Sequence, residues 1–174
     1  MVSSALFLHR KLTLRESRVV SAQSILKSHL FKYQGNVGAA LVLGGFDLSG
    51  PQLFTIYPHG SSDSLPYATM GSGSLAAMSI FESDYHDGMS EEEAKILVAR
   101  SIRAGIFNDL GSGSNVDLCI LNSSGTKYLR NYEIPLQRAY IRAAGYKFEE
   151  GETALNWRNF QTATSTAVEL EKVL

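Results

Sequence analysis

The chain has 174 residues, 44% hydrophobic and 19% charged, which suits a folded domain with its own core rather than a disordered tail. Lys and Arg number 16 and Asp and Glu 17, a formal charge of -1, so the basic excess of a general nucleic-acid or membrane-surface binder is lacking. The single Cys, Cys119, excludes an internal disulfide and any zinc site built on several thiolates.

Residues 1–13 read as the last turns of a helix, with Arg10 and Lys11 at its negative end. No N-cap precedes them, so the chain is expected to start inside an element. Their basic residues follow the apolar Leu6, Phe7 and Leu8, the reverse of a secretory signal. No run approaches the ~20 apolar residues of a spanning helix. Over 16–33, Val19, Ala22, Leu26, Leu30 and Tyr33 recur at helical spacing, and Gln34, Gly35 and Asn36 supply the stop. Residues 37–46 predict a strand covered on both faces. A turn at 47–51 leads to a second strand at 52–57, a polar turn at 59–64 and a third strand at 65–70, an antiparallel meander.

Gly71, Ser72, Gly73 and Ser74 precede a helix over 75–85. The next helix is better signalled. Ser90 and Glu93 form a capping box, Glu91 to Glu93 sit at the positive end of the dipole, and Glu91 pairs with Lys95. Its expected buried stripe is Ala94, Leu97, Val98, Ile102 and Ile106. A second Gly-Ser-Gly-Ser run, 111–114, leads into a hairpin of strands at 116–121 and 127–132. Beyond Pro135 the pattern weakens to one strand near 153–157 and a tail. The organisation is therefore a domain over 1–150 with a C-terminal strand and arm over 151–174. Strands in blocks and helices in pairs give an α+β class.

The repeated Gly-Ser-Gly-Ser runs lack the Lys and spacing of a phosphate loop, and residues 71–76 lack the third glycine of a dinucleotide fingerprint. They are either flexible turns or places where small residues let hydroxyls and backbone approach closely. The polar cluster 108–114 serves as a helix cap or as a carbonyl cation site. His9, His29, His59 and His86 make no zinc-hydrolase pair, and no G-x-S-x-G elbow is present. Cys119, mid-strand between Leu118 and Ile120, is expected to be a buried, inert thiol.

The runs FKYQGNVGAALVLGGFDLSGPQLFTIYPHGSSDSLPYATMGSGSLAAM (31–78) and EEEAKILVARSIRAGIFNDLGSGSNVDLCIL (91–121) resemble the eukaryotic proteasome β-type subunits, most of all the trypsin-like β2 type. The likeness covers about residues 3–158. It implies the N-terminal-nucleophile hydrolase fold, an αββα sandwich of antiparallel sheets between helix pairs. It also implies threonine-protease chemistry, in which the hydroxyl of an N-terminal Thr attacks the peptide carbonyl. That residue's own α-amine acts as base, its unperturbed pKa of ~7.7–8.0 lying near the working pH.

The family's nucleophilic Thr, Asp and Lys lie on strands ahead of the first long helix. No residue here matches them, and Thr13 falls after that helix. The chain therefore looks like a family member lacking its first strands, expected to be inactive alone and to show open strand edges and an uncovered core face. What the resemblance carries over is a supporting shell: Ser72 with Gly73, and Asp109 with Ser112, which orient the nucleophile's amine and hydroxyl. Ile106, Asp109 and Ser112 match positions whose carbonyls hold a cation in some subunits; no cofactor is implied. The implied role is ATP- and ubiquitin-dependent protein degradation, with cleavage after basic residues in the complete subunit. The alternative is a non-catalytic subunit making ring contacts only. The implied partners are the α and β subunits of stacked rings and unfolded polypeptide substrate, with no nucleic acid or membrane, in cytoplasm and nucleus.

Overall fold

The computed structural model describes residues 2–137 and 140–149. The chain divides into two compact units, Met1–Gln137 and Arg138–Leu174. In the second, the Arg142 N–H donates to the Tyr146 hydroxyl at 2.8 Å and the Arg142 guanidinium stands 5.4 Å from the Phe148 ring centroid. The strand expected at 153–157 and the tail lie outside the described residues.

The first unit runs α1 (Val2–Thr13), α2 (Val19–Lys32), β1 (Leu41–Asp47), β2 (Gly50–Ile56), β3 (Ser62–Ser64), α3 (Ser74–Asp84), α4 (Glu91–Asn108), β4 (Val116–Asn122) and β5 (Gly125–Glu133). β1, β2 and β3 form one antiparallel sheet in that order, and β4 and β5 a second. α1 packs on α2, and α2 lies on β1 and β2; α3 runs beside α4, and α4 covers β4. β1 also meets β4, so the layers are helix pair, sheet, sheet, helix pair, the α+β sandwich expected.

Local chemistry fixes these elements. At α4 the Ser90 hydroxyl accepts the Glu93 N–H at 3.3 Å while the Glu93 carboxylate accepts the Ser90 N–H at 2.8 Å. Lys95 bridges Glu91 at 2.8 Å and Glu92 at 2.6 Å. α2 has no such local cap, since Arg18 stands at its N-cap. Its first N–H, from Val19, instead donates to the Asp47 carboxylate at 2.9 Å, 28 residues away in the β1–β2 turn. The other Asp47 oxygen accepts the Ser49 N–H at 2.7 Å, so one side chain fixes both turn and helix start. Gly60 brings the turn after β2 against α2. Its φ is +93°, and a Cβ there would lie 2.8 Å from the Phe31 nitrogen and 2.9 Å from the Lys27 carbonyl oxygen.

Several expectations are corrected. The third strand is Ser62–Ser64, paired with Phe54–Ile56, and not residues 65–70, where Pro66 offers no N–H to a ladder. β1 starts at Leu41, because the turn after α2 runs on to residue 37 and Gly38, at φ +64°, breaks from extended geometry. One face of β1 is open: Leu41, Leu43 and Gly45 turn toward α2, while Val42 and Phe46 are exposed. On α4, Leu97 and Ile106 are buried, but Val98 is 37% and Ile102 43% exposed, and Ala99, Ser101 and Gly105 take the buried places. The second sheet has two strands among the described residues, and Ala99 and Ile106 pack on its Val116 and Leu118 while Val98 and Ile102 are uncovered. Cys119 is exposed, not buried, because it alternates with Leu118 onto the opposite face of β4.

Candidate functional site

The two Gly-Ser-Gly-Ser runs meet. One enters α3 and the other leaves α4, and the helix packing sets their ends side by side. The Ser72 hydroxyl donates to Asp109 Oδ2 at 2.6 Å across 37 residues of sequence. The Ser112 hydroxyl donates to the same oxygen at 2.6 Å, and the Gly111 N–H donates to Oδ1 at 3.2 Å. Asp109 is itself the C-cap of α4, its N–H bonded to the Gly105 carbonyl at 2.9 Å, so the carboxylate is fixed from backbone and side chain together. The Ser112 hydroxyl, the Ser72 hydroxyl and the Gly111 N–H, in that order of weight, hold the Asp109 carboxyl below its usual range.

An ionised carboxylate has about four acceptor positions, and three are filled here. Each serine has directed its proton at Asp109 and so presents oxygen lone pairs to anything that approaches. An ammonium or hydroxyl placed at this cluster would find acceptors on both serines and one more on Oδ1. Such a cluster can orient a polar group; its carboxylate is held below its usual range and its two hydroxyls both donate to that carboxylate.

Ser72, Gly73 and Ser112 line a cleft of about 1270 Å³ between the sheets and the α3–α4 pair. Its walls are apolar: Val42, Gly44 and Leu53 from the first sheet, Val98 and Ile102 from α4, and Leu121 from β4. Cys119 also faces it. The outer edges of β1 and β4 have no strand partner among the described residues. The site is thus a mainly apolar cleft with the serine cluster in its wall.

The structure brings together Ser72, Gly73, Asp109 and Ser112. Ile106 lies one turn before Asp109 on α4, where helix geometry leaves carbonyls without partners. The Asp109 carbonyl accepts the Ser112 N–H at 3.1 Å and keeps a second lone pair. Oxygen donors of this kind suit a hard cation. Among the described residues no three His, Cys, Asp or Glu side chains converge as a metal cluster. Residue pattern alone missed the Asp109 carboxylate as the meeting point of the two runs; the signal available was their repetition beside a helix start and a helix end.

Residues 1–121 match the family described as "Proteasome subunit". The chain belongs to the proteasome subunit family. It is 62% identical over 148 residues to Proteasome subunit beta type-7-A of Arabidopsis thaliana, covering 85% of this chain and 54% of that protein. It is 51% identical over 174 residues to Proteasome subunit beta type-7 of Dictyostelium discoideum, all of this chain and 65% of the relative. Against Proteasome subunit beta type-2 of Saccharomyces cerevisiae the figures are 49% over 156 residues, 89% of this chain and 59% of the relative. These place it among eukaryotic β-type subunits. This β-type chain spans a little over half to two thirds of the length of those relatives.

Proposed function

We propose that the chain serves as a β2-type subunit of a proteasome core particle, in stacked rings with other α and β subunits. Its Ser72–Asp109–Ser112 cluster orients a threonine nucleophile for cleavage of unfolded polypeptide after basic residues. The observation that carries this is the convergence of two serine hydroxyls, both lining a mainly apolar cleft, on Asp109. Residues 1–174 supply the orienting acceptors, and no residue among them matches the family's nucleophilic Thr, Asp or Lys. Ile106, Asp109 and Ser112 are the residues whose carbonyls would hold a cation, which would stiffen the end of α4. The family reading also assigns ATP- and ubiquitin-dependent degradation in cytoplasm and nucleus.

A second reading is a subunit that contributes ring contacts only. It is favoured by the exposed apolar side chains Phe7, Leu8 and Leu12 on α1, a helix with no buried residue among those described, because such patches mark contact surfaces. Two measurements test these readings. A tagged chain expressed in a eukaryotic cell should co-purify with α and β subunits in a ring-sized particle; recovery only as free protein overturns both. The purified chain alone should leave a fluorogenic peptide with a basic residue at the cleavage site intact; hydrolysis by it overturns the division between orienting and reacting groups.

A further inference from the structure

The bonds to Asp109 explain the serines of the two Gly-Ser-Gly-Ser runs and leave the glycines unexplained. Gly73 has φ -86° and ψ 5°, a backbone open to any residue. A Cβ there would lie 3.0 Å from Ser112 Oγ, 3.3 Å from Gly105 Cα and 3.4 Å from Asp109 Oδ2. A Cβ on Gly111 would lie 3.1 Å from Ser72 Oγ and 3.5 Å from both Asp109 carboxylate oxygens. Each of these glycines therefore stands against the serine of the opposite run. The other two glycines differ. Gly113 has nothing within 4 Å of a Cβ, and Gly71 faces open space at φ +106°, a conformational need and not a spatial one.

We infer that Gly73 and Gly111 are reciprocal positioning residues: each leaves the room in which the other run's serine, Ser112 or Ser72, can stand on the Asp109 carboxylate. The repeat is then a clasp. A methyl group at either position meets a serine oxygen at a distance the serine must relieve, and rotation about its χ1 is the cheapest relief. That rotation takes the hydroxyl off Asp109. At Gly73 the Gly105 backbone cannot rotate away, so the cost there is larger than at Gly111, whose neighbours are all side-chain atoms. The inference deepens the proposed orienting role and rests on it for its bearing on catalysis; the bonding itself is tested without activity.

The test reads the χ1 rotamers of Ser72 and Ser112 from three-bond NMR couplings in the full chain and in Gly73→Ala, Gly111→Ala and Gly113→Ala, with far-UV circular dichroism to confirm the fold. Ser112 should leave its native rotamer in Gly73→Ala and Ser72 in Gly111→Ala, each with the opposite serine unmoved, and both should stay in place in Gly113→Ala. A purely structural glycine would not produce this crossed dependence. An unmoved Ser72 in folded Gly111→Ala, or an equal change in Gly113→Ala, overturns the inference. If Gly73→Ala does not fold, Gly111→Ala decides alone. Failure to co-purify with proteasome subunits would remove the catalytic meaning and leave these rotamers unchanged.

Discussion

Among substitutions in the α2 layer, Gly60→Ala combines two separate penalties. Its φ of +93° costs a side-chain-bearing residue about 1–3 kcal/mol. The new Cβ would also press on backbone, 2.8 Å from the Phe31 nitrogen and 2.9 Å from the Lys27 oxygen, and overpacking of this kind costs a further ~1–3 kcal/mol. The sum, roughly 2–6 kcal/mol, is a large fraction of the ~5–15 kcal/mol that holds an ordinary domain. Two other glycines separate the parts. Gly50 has φ +97° with nothing within 4 Å, so Gly50→Ala carries the backbone penalty alone. Gly45 has an ordinary backbone but a Cβ 2.5 Å from Val19 Cγ2, so Gly45→Ala carries the steric penalty alone, softened because a side chain can yield. Urea unfolding of the full chain, followed by far-UV circular dichroism, should rank Gly60→Ala as the most destabilised of the three. A Gly60→Ala midpoint no lower than that of Gly50→Ala would refute the packing of this turn on α2.

Cys119, on the cleft face of β4, should react with a maleimide in the native chain at a rate within a few-fold of that in urea; protection from the reagent would place it in a core. Ser90→Ala removes the hydroxyl half of the α4 capping box and should cost about 1 kcal/mol by the same unfolding assay, with no loss meaning that the cap is not formed in solution. The Val19 and Ser49 N–H groups hold the Asp47 carboxyl below its usual range. Because the folded value is the lower one, its stabilisation is complete above the unfolded value of about 3.9 and is lost as pH falls through the folded value. The urea midpoint should therefore drop in acid, and drop less in Asp47→Asn; an identical acid limb in both proteins would remove Asp47 from this role.

What could be read from sequence was local. The Ser90–Glu93 box, the Glu91–Lys95 pair and the β4–β5 hairpin depend on residues a few positions apart, and the structure has them. What could not be read depended on which layer lies opposite. Val98 and Ile102 fit the helical stripe, yet face the cleft because the sheet under α4 has two strands among the described residues. Cys119 alternates correctly but onto an open face. The apolar residues at 65–70 attract a strand reading that the Ser62–Ser64 pairing takes instead. The Asp109 cluster joins residues 37 positions apart, a contact that no periodicity encodes; family likeness located its members, and only the folded chain shows the hydroxyls sharing one oxygen.

The Asp47 carboxylate links a helix start to a hairpin turn, accepting Val19 N–H on one oxygen and Ser49 N–H on the other. The dependence runs one way: the Val19 bond needs both α2 and the hairpin in place, whereas the Ser49 bond spans two residues and survives melting of α2. The Val19 amide should therefore exchange with solvent at least as fast as that of Ser49. In folding, the β1–β2 turn can form by itself and then offer its free carboxylate oxygen to the arriving helix start.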